Sequence, residues 1–301
     1  MIEGEKILVT GPAGNFALSL VRELAKNNEV HGLARFSNPA DQSTLEAMGV
    51  TCHKLDLARD SLASLPDDFA YVMHAGAMVM PNSEKDQAYT MEVNVQGTGR
   101  IMEHCRKVKS FLHCSTASVY HHQSQHALKE TDPLGIHILS YSLSKVAAEE
   151  MAKFACNQWE IPTVIIRMGT FYGPDTGGPL VRLDRMARGR EIWVNPDKPN
   201  KFSLIYQSDA IELGIKAMTL GRVPALVVNW GGPPASVEDY CTYAGELMGT
   251  EPKFKYTEEA YPGSFFDLTL MKELVGECKV DWKDGFRRVV EHRYRDLVAK
   301  A

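Results

Sequence analysis

The sequence predicts a doubly wound α/β protein: a parallel sheet of about seven strands followed by a smaller lobe. Short β-branched runs alternate with longer helical stretches. The runs are almost continuously apolar, as strands are when both sheet faces are covered. Beyond Arg167 the texture changes to Gly- and Pro-rich loops such as FYGPDTGGP, NPDKPN and WGGPP.

The expected strands lie at 6–10 (KILVT), 30–34 (VHGLA), 50–55, 70–74, 110–114, 162–167 and 225–229. Crossover helices are expected at 16–27 and 88–108, and shorter ones at 237–248 and 284–298. Parallel strands joined by helices imply right-handed βαβ units. The reading assigns 1–171 to a dinucleotide-binding domain, with about 205–230 returning to it, and 172–301 mainly to a substrate-binding lobe.

Composition narrows the function. With 301 residues, 44% hydrophobic and 24% charged, the chain buries a sizeable core and is neither disordered nor fibrous. A net charge of −5 speaks against a nucleic-acid partner. No apolar run reaches membrane-spanning length, so no membrane partner is expected either. The start, MIEGEKILVTG, enters a strand at once and is unlike a signal peptide. Six scattered cysteines without a CxxC pair read as reduced thiols, and the expected compartment is the cytoplasm.

The first strand runs directly into TGPAGNFA. That places Gly11, Gly14 and Ala17 at G-x-x-G-x-x-A spacing before an apolar helix. Gly11 permits a tight turn, Gly14 lets backbone approach a pyrophosphate, and Ala17 lets the helix pack close to the strand. In this strand–turn–helix context the trio marks a dinucleotide site, and the domain is of Rossmann type. The second strand ends in Ala34-Arg35, with no acid to grip a ribose 2′-hydroxyl. A guanidinium there suits a 2′-phosphate, so NADP(H) is favoured over NAD(H); otherwise Arg35 is a solvated charge at a strand end.

Tyr141 and Lys145 stand four apart in YSLSKVAAEE and share one face of a helix. An ammonium beside a phenol favours the phenolate and brings its pKa toward neutrality. Such a pair also occurs by chance on surface helices, so the surroundings decide. Upstream, SFLHCSTASVY offers the hydroxyls Ser115, Thr116 and Ser118.

Seven segments in order now resemble the extended branch of the short-chain dehydrogenase/reductase superfamily, related to nucleotide-sugar epimerases and dehydratases. They are TGPAGNFA at 10–17, Asp56-Leu57, HAGA at 74–77, NVQGT at 94–98, STASVY at 115–120, YSLSK at 141–145 and RMGTFYGP at 167–174. The resemblance implies that Thr116 and Tyr141 hold the substrate oxygen, that Tyr141 moves the proton, and that Lys145 binds the nicotinamide ribose. It implies cofactor contacts from Gly11, Ala13, Gly14, Asn15, Phe16, Arg35, Asp56 and Leu57. Further contacts are implied from His74, Ala75, Gly76, Ala77, Asn94, Ser115, Met168 and Thr170. It also implies a homodimer packed through helices at about 88–107 and 141–157, with Val95, Met102, Val146 and Met151 as apolar positions that are either available to it or core.

Three departures shape the functional reading. Thr116-Ala117-Ser118 lacks the two carboxylates of the dehydratases' T-D-E run, which disfavours sugar dehydration. Nucleotide-sugar members usually carry Asn where this chain has Thr170, and Arg where counting back from Asp209 gives Phe202, with Lys201 one position off. A diphosphate needs such donors. The leading expectation is therefore an NAD(P)-dependent oxidoreductase acting on a small carbonyl or alcohol; the aromatics Phe171, Tyr172, Trp193 and Phe202 would suit such a substrate, although core packing is the favoured role for most of them. The alternative is a nucleotide-sugar epimerase with tightly bound NAD, and a non-catalytic scaffold ranks last. His121, His122 and His126 lack a carboxylate or thiolate at helpful spacing, so no metal is expected.

Overall fold

The structure is a computed structural model that describes residues 2–121, 126–135, 139–197 and 200–298. It divides into two compact units. The first comprises residues 1–119, 134–167 and 211–228; the second comprises 120–133, 168–210 and 229–301.

In chain order the first unit begins with β1 (Lys6–Thr10), α1 (Asn15–Leu24), β2 (Glu29–Ala34), α2 (Pro39–Glu46), β3 (Thr51–Lys54) and β4 (Tyr71–His74). Short helices α3 (Asn82–Lys85) and α4 (Gln87–Met91) lead through a π-helical turn, Glu92–Gln96, into α5 (Gly97–His104). Then come β5 (Ser110–Thr116), α6 (Ser140–Trp159) and β6 (Thr163–Met168).

The second unit contains β7 (Thr170–Gly173), β8 (Thr176–Gly177), α7 (Gly178–Ala187), β9 (Ile192–Val194) and β10 (Lys201–Tyr206). Helix α8 (Gln207–Ala217) and strand β11 (Leu226–Trp230) belong mostly to the first unit, and the second resumes with β12 (Pro234–Ser236), α9 (Val237–Met248) and β13 (Phe254–Tyr256). Helices α10 (Thr269–Val275), α11 (Trp282–Arg293) and α12 (Arg295–Val298) complete the chain.

The main sheet has seven strands in the order β11-β6-β5-β4-β1-β2-β3, the doubly wound parallel arrangement. Its central strands are buried on both faces: four of the five residues of β1 and six of the seven of β5. Order reverses next to β1, which pairs with β2 on one side and β4 on the other, with Thr10 opposite both Leu33 and His74. Ligands bind at the carboxyl ends of strands at such a reversal. Helix α1 packs through Phe16, Ala17, Leu20, Val21 and Leu24, a helical stripe. On the other face Leu8, Val72, Phe111 and Ile165 meet Ile101, Met102, Ala152 and Cys156. Of the two roles open to Met102, interface or core, the structure gives it the core, with no exposed surface.

The second unit is organised around stacked rings. Phe286 lies 4.8 Å from Tyr172 and 4.7 Å from Tyr240 between ring centres. Tyr172 is therefore a core residue, whereas Trp193 is exposed. Helix α9 opens on a capping box, the Ser236 hydroxyl accepting from Asp239 N–H while the Asp239 carboxylate accepts from Ser236 N–H. The segment 126–133 is tied to this unit through Asn229. That side chain donates to the Leu128 carbonyl (2.9 Å), while its N–H donates to Glu130 (2.8 Å). Among the described residues all six cysteines are free thiols, and no helix is long and apolar enough to cross a membrane.

Polar clamps hold α6 against the sheet. Glu149, with no exposed surface, accepts from the Ser115 hydroxyl at 2.5 Å and from Arg167 Nε and Nη2 at 3.1 and 2.8 Å. One turn earlier, Lys145 Nζ donates to the Cys114 carbonyl at 2.7 Å. Glu149→Ala removes the carboxylate that faces the buried Arg167 guanidinium and should cost about 3–5 kcal/mol of unfolding free energy in denaturant titrations. A loss below about 1 kcal/mol would show that the pair is not the clamp.

Candidate functional site

The first strand delivers the chain to a turn that needs glycine. Gly11 has φ of +63°, and a Cβ there would stand 2.8 Å from Gly76 Cα. Gly32 on β2 plays the complementary part, since a Cβ there would meet Pro12 Cγ at 2.9 Å. Gly11 N–H donates to the Leu33 carbonyl and Gly14 N–H to the Gly11 carbonyl, and Gly76 N–H donates to the Thr10 hydroxyl at 3.0 Å. Helix α1 then starts at Gly14 without a side-chain cap, so its first N–H groups remain available to an anion.

Beside this turn lies a cavity of about 320 Å³. It is lined by Gly11, Ala13, Arg35, Asp56, Leu57, Gly76 and Ala77 from the expected cofactor set. Leu33, Ala34, Ser37, Asn38, Asp41, Tyr89 and Val93 also line it. The glycine approach, the uncapped helix end and a carboxylate at the rim fit a dinucleotide's adenosine and pyrophosphate.

Tyr89 is the residue that sequence reasoning missed. Its hydroxyl donates to Asp56 Oδ2 at 2.5 Å and accepts from Arg35 Nη1 at 3.1 Å. The Arg35 guanidinium also lies 5.5 Å from the Tyr89 ring centre and donates to Met78 Sδ. Arg35, treated in the sequence as an open cation, is thus engaged. Burial pushes the Asp56 carboxyl up, but the Tyr89 hydroxyl and the Ala58 N–H outweigh it and hold the group below its ordinary value. No spacing in the sequence announces this chain, because its members are 33 and 54 residues apart.

The helix bearing Tyr141 and Lys145 is capped from elsewhere. Leu139 at its N-cap offers no side-chain acceptor, and the Glu84 carboxylate accepts from the N–H groups of Ser140 (3.2 Å) and Tyr141 (3.1 Å) instead. Lys145 is buried beside Cys114 and lies 3.4 Å from His113 Nε2. Burial pushes its ammonium down to about 8, against the opposing pull of Cys114 and Glu149. Thr116 ends β5, its hydroxyl accepting from Ser118 N–H at 3.2 Å. Lys145 and Thr116 are brought together through Cys114, two residues before Thr116.

Other expected residues have defined partners. Asn94, in the π-helical turn, exchanges hydrogen bonds with Met78 backbone and donates to the Ser144 hydroxyl at 2.8 Å. Ser115 donates to Glu149. His74 lies between the hydroxyls of Thr10 (2.7 Å) and Thr98 (3.0 Å), and Ala75 N–H donates to the Thr10 carbonyl. Phe16 is buried toward Gly214, while Asn15 is exposed. Met168 and Thr170 fall in the second unit, Thr170 opposite Leu204 of β10. His126 pairs with Asp132, and His122 lies outside the described residues. Among the described residues no three His, Cys, Asp or Glu side chains could hold a metal ion.

His74 and His113 form a buried tilted pair, ring centres 5.4 Å apart. Burial, followed by the nearby Lys145 charge, pushes His74 down to about 3 and His113 well below its ordinary value. Both are neutral in the fold, so the unfolded chain binds more protons once pH drops below about 6.5. Their contribution is complete above that pH and is lost as pH falls toward 3. Replacing His113 by Leu should make the fall of stability between pH 6.5 and 4 shallower by up to about 1.4 kcal/mol per pH unit. An unchanged slope in denaturation curves across that range would remove His113 from the account.

The comparisons with known proteins bear on this geometry. A profile of the NAD dependent epimerase/dehydratase family matches residues 7–229. The chain is 27% identical to an uncharacterized UDP-glucose epimerase, YtcB, of Bacillus subtilis, over 95% of this chain and 97% of that one. It is 28% identical to an uncharacterized 37.6 kDa protein of Escherichia coli O111:H-, over 79% and 77%. In structure it is similar to a UDP-glucuronic acid 4-epimerase variant of Bacillus cereus, solved with UDP-4-deoxy-4-fluoro-glucuronic acid and NAD. That likeness has a TM-score of 0.82 at 25% identity and covers 98% of this chain and 100% of the other. The UDP-glucose 4-epimerase of Thermotoga maritima shares the fold, with a TM-score of 0.82 over 97% and 99% of the chains at 23% identity. With a glycine cradle, an uncapped helix and a matching profile across most of its length, the chain belongs to the NAD dependent epimerase/dehydratase family.

Proposed function

We propose that the protein is a nucleotide-sugar epimerase that inverts C4 of a UDP-activated hexose or hexuronic acid, using NAD. The observation that carries this reading is the full-length likeness to the Bacillus cereus 4-epimerase, whose structure holds a UDP-sugar and NAD. It favours the epimerase over the small-carbonyl oxidoreductase that Thr170 and Phe202 suggested. Neighbours solved with NAD, and an Arg35 already held by Tyr89, favour NAD over NADP(H).

NAD, when bound, supplies a reversible hydride acceptor at its nicotinamide ring. Gly11, Gly14 and the first N–H groups of α1 would hold the pyrophosphate, and Asp56 and Leu57 would border the adenine. Lys145 would bind the ribose, and its charge would favour the Tyr141 phenolate. Tyr141 takes the proton from the sugar 4-hydroxyl as C4 is oxidised to a ketone, and Thr116 donates to the oxygen. After the ketone presents its other face, reduction and the return of the proton from Tyr141 complete the inversion. Exposed Met91, Leu143 and Phe154 on α4 and α6 suit a homodimer.

Incubation with UDP-glucose or UDP-glucuronic acid should yield the C4 epimer by NMR without net change in nicotinamide absorbance. Stoichiometric NADPH oxidation with simple ketones, and no epimer, would replace this reading with the reductase. Tyr141→Phe should keep NAD affinity while kcat falls by about two to four orders of magnitude. Near-full turnover in that variant would move the proton carrier elsewhere.

A further inference from the structure

Position 202 on β10 carries Phe, where the resemblance leads one to expect the guanidinium that meets a substrate diphosphate. The second unit nevertheless brings a guanidinium to that place. Arg182 on α7 stands with its guanidinium carbon 5.3 Å from the centre of the Phe202 ring. Both side chains are partly buried, so neither is a free surface group. The Tyr240 hydroxyl, buried and without a hydrogen-bond partner among the described residues, lies beside the same guanidinium.

Arg182 makes no ion pair with a carboxylate among the described residues, whereas Arg287, Arg288 and Arg293 of the same unit are paired with acids. Glu238 on α9 accepts from Asn200 at 3.3 Å and does not pair with Arg182. A guanidinium on an aromatic face keeps its in-plane N–H groups free for a planar or tetrahedral oxyanion. A partly desolvated cation without an acid is suited to an anion that arrives from outside.

We infer that Arg182 is the diphosphate-binding guanidinium of this protein, the ring and the charge having exchanged places between β10 and α7. The inference rests on the epimerase reading and gives the substrate's diphosphate the cationic partner that Phe202 does not supply. Arg182 thus acts as a specificity residue for nucleoside diphosphates.

The test is titration of the full-length protein with UDP and with uridine, by calorimetry. Arg182→Gln should raise the Kd for UDP roughly tenfold or more and leave that for uridine unchanged. With sugar substrate, KM should rise while kcat stays within about threefold. Arg185→Gln, on the same helix but set against Trp193, should bind UDP as the wild type does. The exchanged protein, Arg182→Phe with Phe202→Arg, should recover UDP affinity to within about threefold.

Unchanged UDP affinity in Arg182→Gln, equal losses for UDP and uridine, or no UDP binding by the wild type would overturn the inference. So would a correctly folded exchanged protein that fails to recover affinity. The two readings fail separately. Epimerisation with Arg182-independent UDP binding sinks only this one, and Arg182-dependent UDP binding without epimerisation sinks only the epimerase.

Discussion

A carboxylate without access to water ties three elements of the first unit together. Glu149 on α6 accepts from Ser115 near the end of β5 and from Arg167 near the end of β6. Removing the two charges from water costs several kcal/mol each, and only near-complete hydrogen bonding repays it. The pair therefore tolerates little displacement. Lys145 adds its own bond to the Cys114 carbonyl, so one helix grips consecutive residues of one strand. Thr116 follows directly, and the spacing between its hydroxyl and the helix bearing Tyr141 is set by bonds to neither.

The same helix depends on Glu84 at its start, fifty-six residues away along the chain from Ser140. Glu84 satisfies donors that a capping side chain would ordinarily serve, and its charge lies at the positive end of the helix dipole. Burial opposes that arrangement, yet the N–H groups of Tyr141 and Ser140 hold the carboxyl below its ordinary value. Asn94 binds α6 from a further side through Ser144. Positioning of the proposed reacting groups is thus distributed over residues that touch none of the chemistry.

This explains what the sequence disclosed and what it withheld. All seven strands of the main sheet lie within about two residues of their expected places, because a strand covered on both faces advertises itself as an apolar run. The glycine turn was legible because steric demand at Gly11 and its surroundings leaves few alternatives. Long-range polar pairs leave no such trace. Tyr89 sits among ordinary helical residues, and only folding brings it to Asp56 and Arg35. The helix expected at 88–108 is likewise interrupted by the π-helical turn that turns Asn94 inward, a local change of period that apolar spacing does not record.

Arg35 and Phe202 show the same limit from opposite sides. At Arg35 a correctly read charge argued for a 2′-phosphate, but a guanidinium's meaning depends on its partners, and Tyr89 and Met78 already engage it. At Phe202 a correctly read absence argued against a diphosphate, but absence at one position says nothing of the space around it. Helix α7 carries Arg182 to the face of that ring. Electrostatic recognition is a property of where charge stands, not of which strand supplies it. A site judged by its aligned positions alone misses any cation that stands on a neighbouring element, as Arg182 does here, and the preference for a small carbonyl rested on that omission.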